Sequence, residues 1–254
     1  MEVFYVKPRL GEFEASKRIE RSLKGFFGRK GEFIGGRLIY YPFYEVEADV
    51  RVGEVKLGRL RYRYVRKTVS VDAVKGYLCN HALQPVPIAR VVGMSRLEVA
   101  MAREMLEHGK GVKTEEVATH LGVAVQEAEK VLKSLEERGI LRFSRGKWTV
   151  ADDAWTMLTL IPDELISPSQ VKGLELVKGD PPSPKVEPKV KPEEAAKAVE
   201  DVLYGKVRSL RLTYCPFYIG KVKRKDGTTE TIAVEPVKGE TVNREAVKKL
   251  LENL

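Results

Sequence analysis

The chain has 254 residues, of which 43% are hydrophobic and 32% are charged, and its formal net charge is +9 at pH 7. This hydrophobic content excludes a disordered chain, and no hydrophobic run approaches the roughly 20 residues that span a bilayer. The first residues lack the features of a signal peptide, so we expect a cytoplasmic protein without a membrane partner.

The N-terminal region, residues 1–80, begins with a predicted helix. Residues 14–27 place Ile19, Leu23 and two phenylalanines at helical spacing. The glycines of residues 28–36 lack the spacing of a phosphate-binding loop, and we predict an ordinary loop there. Aromatic and β-branched residues then predict a strand over residues 37–50.

A basic excursion follows in residues 51–67. Period-2 alternation there places Arg59, Arg61 and Arg63 on one face of a strand, with tyrosines on the other. Residues 1–70 hold 16 Lys or Arg against 9 Asp or Glu, so most of the basic excess lies in this region. A basic field attracts polyanions without regard to sequence, whereas the alternative interpretation is a solvated surface.

Residues 90–155 are predicted to form a second, central domain. Ser95 and Glu98 match a capping box that begins a helix, and Thr114 is predicted to cap a second helix. Gly122 allows a tight turn before a third helix, which ends at Gly139. Two short strands, residues 140–143 and 147–150, then form a hairpin around Ser144-Arg145-Gly146.

These three helices, glycine turn and basic hairpin, over residues 94–151, resemble the winged helix-turn-helix superfamily. The resemblance covers about 58 of the 254 residues. It implies a third helix in the major groove of DNA and a hairpin, the wing, on the backbone or in the minor groove. Many members of the superfamily are instead protein-interaction modules.

The resemblance assigns DNA contacts to the third helix and to the wing. The helix residues are Gln126, Lys130 and Lys133, and the wing residues are Arg142, Arg145 and Lys147. Exposed positions of the third helix hold four carboxylates against two lysines, which suits phosphate contact poorly. We therefore expect the wing to contribute more than the helix.

Residues 156–192 are predicted to connect the central domain to the last one. Five of the thirteen residues 180–192 are prolines, which predicts a semi-rigid spacer that could span about 40 Å.

The last region, residues 193–254, repeats the first. Arg37–Tyr44 matches Arg211–Tyr218 at six of eight positions, and the helical pattern before this strand recurs. The motif Val-(Asp/Glu)-x-Val-Lys-Gly follows it both times, at Val71–Gly76 and Val234–Gly239. We therefore predict two homologous helix–strand–strand units, which dock about a pseudo-two-fold axis because each alone has a thin core.

The second unit is predicted to contain a helix over residues 193–204 and strands over residues 209–223 and 229–234. A turn at Lys225-Asp226-Gly227 joins the two strands.

Both units share the strand motif Tyr-x-Pro-Phe-Tyr. Because proline cannot donate to a sheet ladder, Pro42 and Pro216 predict edge strands or bulges. The aromatic residues are predicted to pack against the preceding helix, and a platform for stacking RNA or single-stranded bases is the alternative. This repeat is weakly similar to small modules appended to archaeal HerA/FtsK-type ATPases, which would imply a DNA-translocating motor as protein partner.

The sequence contains no motif for catalysis, a metal or a cofactor, and we expect none. Two cysteines, Cys79 and Cys215, are too few for a disulfide framework, although one bridge remains possible. Only six Asn and Gln residues beside many charges suggest a thermophilic, archaeal source.

The sequence therefore predicts an α+β fold in which a central winged helix-turn-helix is flanked by the two units. The expected function is non-enzymatic binding of double-stranded DNA, associated with chromatin or transcription. The alternatives are a protein-interaction adaptor and an RNA- or single-strand-binding protein.

Overall fold

A mixed β-sheet, eight-stranded in the described part of the chain, forms the centre of the fold. The computed structural model describes residues 1–25, 28–29, 31–56, 59–79, 87–108, 111–155, 173–182 and 184–242. Its elements in chain order are β1 (Glu2–Val6), α1 (Glu12–Ser22), β2 (Lys24–Gly25), β3 (Gly28–Arg29), β4 (Gly31–Lys56), β5 (Arg59–Asp72), β6 (Tyr77–Cys79), β7 (Pro87–Arg90), α2 (Arg96–His108), α3 (Thr114–Leu121), α4 (Val125–Glu137), β8 (Leu141–Ser144), β9 (Lys147–Val150), α5 (Asp152–Trp155), β10 (Leu176–Lys178), α6 (Pro192–Val202), β11 (Lys206–Arg224) and β12 (Thr229–Val234). The architecture is α+β, which confirms the predicted fold class.

The strand order across the sheet is β10-β1-β11-β4-β5-β6-β7, and β12 also pairs with β11. Strand β1 runs parallel to β11, and the other pairs in this sheet are antiparallel. The two strands that carry the repeated motif, β4 and β11, are thus neighbours in the interior of the sheet.

The register between β4 and β11 relates the two repeated motifs symmetrically. Tyr41 lies opposite Cys215, the residue that the repeat makes its equivalent. Tyr40 lies opposite Pro216, and Pro42 lies opposite Tyr214. The strands of the two repeats therefore pair within one sheet, and each unit gains a neighbouring strand that it would lack alone.

The prediction that Pro42 and Pro216 mark edge strands or bulges is wrong, because both lie in interior strands without a register shift at either position. The backbone N–H of Tyr40 donates away from β11, to the carbonyl of Pro184. By the alternation of an antiparallel ladder, Pro42 and Pro216 also face away from the partner strand. On the side that faces away from the β4–β11 ladder, the segment next to β4 changes near Pro42 and the strand next to β11 changes near Pro216. Neither proline therefore removes a hydrogen bond from the β4–β11 ladder.

The aromatic residues of the shared motif are core residues, as predicted, but Tyr218 packs on α1, the helix of the other unit. They are Tyr40, Phe43, Tyr44, Tyr214, Phe217 and Tyr218, all at most 4% exposed. A base cannot reach rings that are buried to this extent, so these strands are not a stacking platform.

The helices of the two units cross over between the repeats. Ala15, Ile19 and Leu23 of α1 form a buried cluster with residues of β11 and β12, such as Tyr218. Helix α6 packs on β4 and β11, and the hydroxyl of Tyr44 donates to a carbonyl just before α6, 2.7 Å away. Burying one apolar helix face in this way contributes several kcal/mol, since each large side chain contributes about 1.5–3 kcal/mol.

The motif Val-(Asp/Glu)-x-Val-Lys-Gly ends each unit in the same turn. The Asp72 carboxylate accepts the N–H groups of the residues two and three positions later, and the Glu235 carboxylate does the same. Gly76 and Gly239 then adopt φ angles of 74° and 78°, which glycine tolerates best. Burial raises the pKa of both carboxyls, although these hydrogen bonds oppose the rise.

Helices α2, α3 and α4 and the β8–β9 hairpin agree with the predicted boundaries. The Ser95 hydroxyl accepts the N–H of Glu98, whose carboxylate accepts the N–H of Ser95, so the predicted capping box is confirmed. Gly122 and Gly139 both adopt positive φ angles after α3 and α4, as predicted. The prediction that Thr114 caps α3 is wrong, because its hydroxyl accepts the indole N–H of the buried Trp148.

Glu98 also ties α2 to α4. Its carboxylate accepts hydrogen bonds from the Ser134 hydroxyl, at 2.6 Å, and from the Arg138 guanidinium, at 2.9 Å. Arg138 additionally donates to the carbonyls of residues 90, 92 and 93, between β7 and α2. Burial alone would raise the pKa of Glu98, but the hydrogen bonds from Ser134 and Ser95 and the charge of Arg138 lower it to about 2.

Two boundaries in the first unit differ from the predictions. Helix α1 ends at Ser22, and Lys24–Gly25 pairs with Gly28–Arg29, so the predicted helix over residues 14–27 is too long. Residues 28–36 are mainly strand, because glycines allow β4 to approach β11 closely. A Cβ at Gly36 would lie 2.6 Å from a carbonyl oxygen of β11.

The proline-rich segment is docked on the first unit. The N–H of Val186 donates to the carbonyl of Tyr40, and those of Lys189 and Val190 donate to the carbonyl of Ala73. These bonds supply the neighbour that β4 would otherwise lack beside Pro42. Cys79 and Cys215 are both buried as free thiols, so the open possibility of a disulfide is not realised.

Candidate nucleic-acid interface

The sheet ends in a two-stranded extension, which we call the arm (residues 51–67). The last pair between β4 and β11 joins Asp49 to Lys206, and Arg51 still donates its N–H to the carbonyl of Leu203. Farther along, the described strand pairs of β4 are with β5 alone, up to Lys56 opposite Arg59. The arm therefore extends past the strands that cover the rest of the sheet.

The arm holds much of the charge of the molecule. It contains seven Lys or Arg and one Glu, a net charge of +6 out of +9 for the whole chain. The predicted residues Arg61 and Arg63 are exposed, and Arg59 begins β5, although its side chain lies outside the described residues. Such a concentration of like charge on a thin ribbon creates a strong local field for phosphates.

The arm has two chemically different faces. Residues directly opposite in an antiparallel pair share a face, so Arg63 lies on the same face as Val52, and Arg61, two residues away along the strand, lies there too. Tyr62 and Tyr64 lie on the other face, and both are exposed. The alternation predicted from the sequence is therefore preserved in the arm.

The sheet beside the arm is close to electrically balanced. Asp49 accepts hydrogen bonds from Arg66 and Arg208, and these bonds lower the pKa of Asp49, although burial opposes the shift. The buried Glu45 accepts from Arg211 and Thr213 in the same way. Two arm residues belong to this paired network or to a similar one, since Arg66 pairs with Asp49 and Arg51 pairs with Glu107. Arg61 and Arg63 are exposed and take part in none of the ion pairs seen in the described residues.

The wing (residues 141–150) presents the three predicted basic side chains to solvent. Arg142, Arg145 and Lys147 are exposed, and they take part in none of the ion pairs seen in the described residues. Arg145 and Gly146 form the two-residue turn, with φ angles of 51° and 73°. A turn with two positive φ angles normally favours Asn-Gly, so arginine is an unfavourable choice for folding at this position.

Arg145→Asn is accordingly expected to raise the free energy of unfolding by about 0.5–1 kcal/mol, because asparagine adopts positive φ more readily. The same change is expected to weaken binding to duplex DNA about tenfold through loss of one phosphate contact. Chemical denaturation and fluorescence anisotropy measure the two effects. Arg142→Asn is the matched control, which should weaken binding without a gain in stability because Arg142 lies in a strand.

Helix α4 is less suited to nucleic acid than the wing. Gln126, Lys130 and Lys133 are exposed, as predicted, but the Lys133 ammonium lies 2.8 Å from the Glu129 carboxylate. The hydrogen bond to Glu129 raises the pKa of Lys133. A lysine that already has a carboxylate partner gains less from a phosphate.

The arm and the wing are linked at the end of α2. The Glu107 carboxylate accepts from Arg51, at 3.1 Å, and from the hydroxyl of Tyr204, at 3.4 Å. A Cβ at Gly111, four residues after Glu107, would lie 3.3 Å from the Cβ of Lys147 in the wing. Four residues span at most about 14 Å, so the bases of the arm and the wing lie on the order of 30 Å apart or less. This separation is shorter than one turn of B-DNA, about 34 Å.

Tyr204 is a residue that sequence reasoning missed. It has a φ angle of 48°, where glycine is usual, and its ring lies 3.6 Å from the guanidinium carbon of Arg51 and 3.9 Å from that of Arg103. The left-handed backbone costs on the order of 1 kcal/mol, which the two cation–π contacts offset. A tyrosine just before Gly205, in the position of a helix cap, is the signal that could have identified it.

Within the described residues, no group of three or more His, Cys, Asp and Glu could hold a metal ion. None of the helices there is both long and hydrophobic enough to cross a membrane. His81, which follows Cys79 by two residues, lies outside the described residues.

Comparison with known proteins returned no protein-family model, no curated protein and no solved structure that matches this chain.

Proposed function

We propose that this protein is a non-enzymatic binder of double-stranded DNA that contacts one duplex with the arm and the wing. The observation that carries the proposal is the arm, a basic ribbon that extends past the sheet and exposes Arg61 and Arg63, which take part in none of the ion pairs seen in the described residues. The ion-paired sheet surface and the paired Lys133 leave the arm and the wing as the basic surfaces best placed for phosphate contact.

We interpret helices α2 to α4 and the β8–β9 hairpin as a winged helix-turn-helix. In this interpretation the wing lies along a phosphate backbone. The contribution of α4 to DNA contact is limited to Gln126 and Lys130, near its N-terminal end. The acidic exposed face of α4 disfavours deep insertion into the major groove. Binding is therefore expected to depend little on base sequence.

We further interpret the two helix–strand–strand units as a duplication related by a pseudo-two-fold axis near Tyr41 and Cys215. The symmetric register of β4 and β11 and the equivalent turns at Asp72 and Glu235 support this interpretation. In this arrangement the second unit holds the first rigid, so the arm has a fixed direction relative to the wing.

Fluorescence anisotropy with a blunt duplex of about 20 base pairs, two helical turns, tests the proposal. In the described parts of the arm and the wing, five exposed cations lie outside the ion pairs, namely Arg61, Arg63, Arg142, Arg145 and Lys147. If each neutralises one phosphate, log Kobs should fall with log[salt] with a slope of about −4.5. Binding that is absent at about 100 mM salt, or that is insensitive to salt, contradicts the proposal.

The exposed carboxylates of α4 favour a second candidate, a protein-docking adaptor. Glu127, Glu129, Glu136 and Glu137 are all exposed on one helix. A basic partner surface would suit this face, and such docking would persist in the absence of DNA. Failure of duplex binding together with pull-down of a partner that is lost on reversal of these charges would select the adaptor.

A further inference from the structure

The arm exposes two tyrosines, whereas the aromatic residues of the shared strand motif are buried. Tyr62 is 41% exposed and Tyr64 is 67% exposed, whereas the tyrosines of the shared motif are at most 4% exposed. In the described part of the chain, Tyr64 has no hydrogen bond and no ring or cation contact. Most of its side-chain surface is therefore available to a partner.

Tyr62 is held in place by Arg51. The guanidinium carbon of Arg51 lies 4.2 Å from the centre of the Tyr62 ring, and the same guanidinium bonds to Glu107 and stacks on Tyr204. This chain of contacts fixes one aromatic ring at the base of the arm before any ligand binds. A preformed ring loses less conformational entropy on binding than a mobile one.

The spacing of the two tyrosines matches that of nucleic-acid bases. Residues two apart on a strand are separated by about 6.8 Å, which is two steps of about 3.4 Å along a nucleic-acid strand. Tyr62 can therefore contact one base while Tyr64 contacts the base two positions along the same strand. Aromatic rings stack on any base, because every base has a π face.

The arginine face and the tyrosine face lie on opposite sides of the same ribbon. A fully paired duplex presents phosphates to the arginines but conceals the faces of its bases within the stack. Unpaired bases beside the duplex present the faces that the tyrosines need. Both faces of the arm can be occupied together where paired and unpaired segments meet.

We propose that the arm recognises DNA at a junction between duplex and unpaired bases, with Arg61 and Arg63 on phosphates and Tyr62 and Tyr64 stacked on the unpaired bases. This inference rests on the proposed function and narrows it to forked or locally open DNA. In this proposal the wing binds the duplex, and the arm binds the site where the two DNA strands separate.

Anisotropy measurements compare the blunt duplex with the same duplex ended by two unpaired, non-complementary tails. The wild type is expected to prefer the forked probe by about tenfold or more. Tyr62→Ala with Tyr64→Ala should reduce this preference to about twofold or less while leaving blunt-duplex affinity unchanged. Tyr64→Phe keeps the ring and should keep the preference, and Tyr64→Ala alone, at the freely exposed position, guards against a folding defect in the double variant.

A second readout reports on stacking directly. A 2-aminopurine at the first unpaired position should lose fluorescence on binding the wild type or Tyr64→Phe, and should lose much less with the double alanine variant. A wild type that binds both probes equally, or a double variant that keeps the forked preference, overturns the junction proposal and leaves duplex binding standing. A wild type that binds neither probe overturns the proposed function itself.

Discussion

Replacement of Arg142, Arg145 and Lys147 by alanine together is expected to lower the affinity for duplex DNA about 100-fold or more at about 100 mM salt. The reason is the release of counterions, since each phosphate that loses its cation contributes about 0.9 to the salt slope. The slope should accordingly become less negative by about 2.7, which titrations at several salt concentrations measure. The side chains are exposed, so folding should be retained.

A matched control separates the wing from net charge. Lys7, Lys178 and Lys223 are exposed lysines away from the wing, and their joint replacement by alanine lowers the net charge by the same amount. Two of them already pair with acidic residues, and Lys223 pairs in register with Glu32, far from the arm along β4. Equal loss of affinity in the control and the wing variant would mean that only the overall charge matters.

Glu98→Gln is expected to lower the free energy of unfolding at neutral pH by about 3 kcal/mol, because Arg138 then faces a neutral amide in a largely buried site. The carboxylate also joins α2 to α4 through Ser134, so the change loosens the whole three-helix module. For a chain of this size, the melting temperature should fall by about 6–12 °C. Chemical and thermal denaturation followed by circular dichroism measure both quantities.

The dependence on pH identifies the charge as the cause. The pKa of Glu98 is lowered to about 2 in the folded chain, from 4.5. A group with a lowered folded pKa stabilises the fold above its unfolded pKa, and this contribution is lost as the pH falls from about 4.5 towards 2. The difference between wild type and Glu98→Gln should therefore shrink across this range. A difference that stays constant would assign the effect to packing alone.

Glu116→Gln serves as the control for Glu98→Gln. Glu116 accepts the N–H of Lys113 at the start of α3, just as Glu98 accepts that of Ser95 at the start of α2. Glu116 is exposed, however, and the described residues give it no arginine partner. Its replacement should lower the free energy of unfolding by about 1 kcal/mol or less.

Local patterns predicted the central module well because its signals lie within a few residues of each other. The capping box at Ser95, the turn at Gly122 and the cap at Gly139 each depend on neighbouring positions. The partners of Glu98 could not be predicted, because Arg138 lies 40 residues away and nothing in the periodicity requires the two to meet. Long-range polar contacts depend on how helices cross, which single-sequence patterns do not encode.

The repeat predicted that Pro42 and Pro216 occupy equivalent strands but not that these strands pair with each other. Proline normally indicates an edge, and the sequence carries no sign that docked residues such as Pro184 would replace the missing neighbour. The arm shows the same limitation. Its alternating arginines and tyrosines predicted a strand, yet its extension past the sheet depends on where β11 begins, at Lys206.

The pairing of β4 with β11 also determines the order in which the chain can fold. Tyr41 must find Cys215, 174 residues later in the chain, before the interior of the sheet is complete. Closing so large a loop is slow, and an interior strand left without its neighbour exposes an edge that invites aggregation. During synthesis the contacts among α2, α3 and α4 can form early, whereas the first unit waits for the last. We therefore expect chains truncated before β11 to accumulate as insoluble material, and full-length chains to refold with a slow final phase.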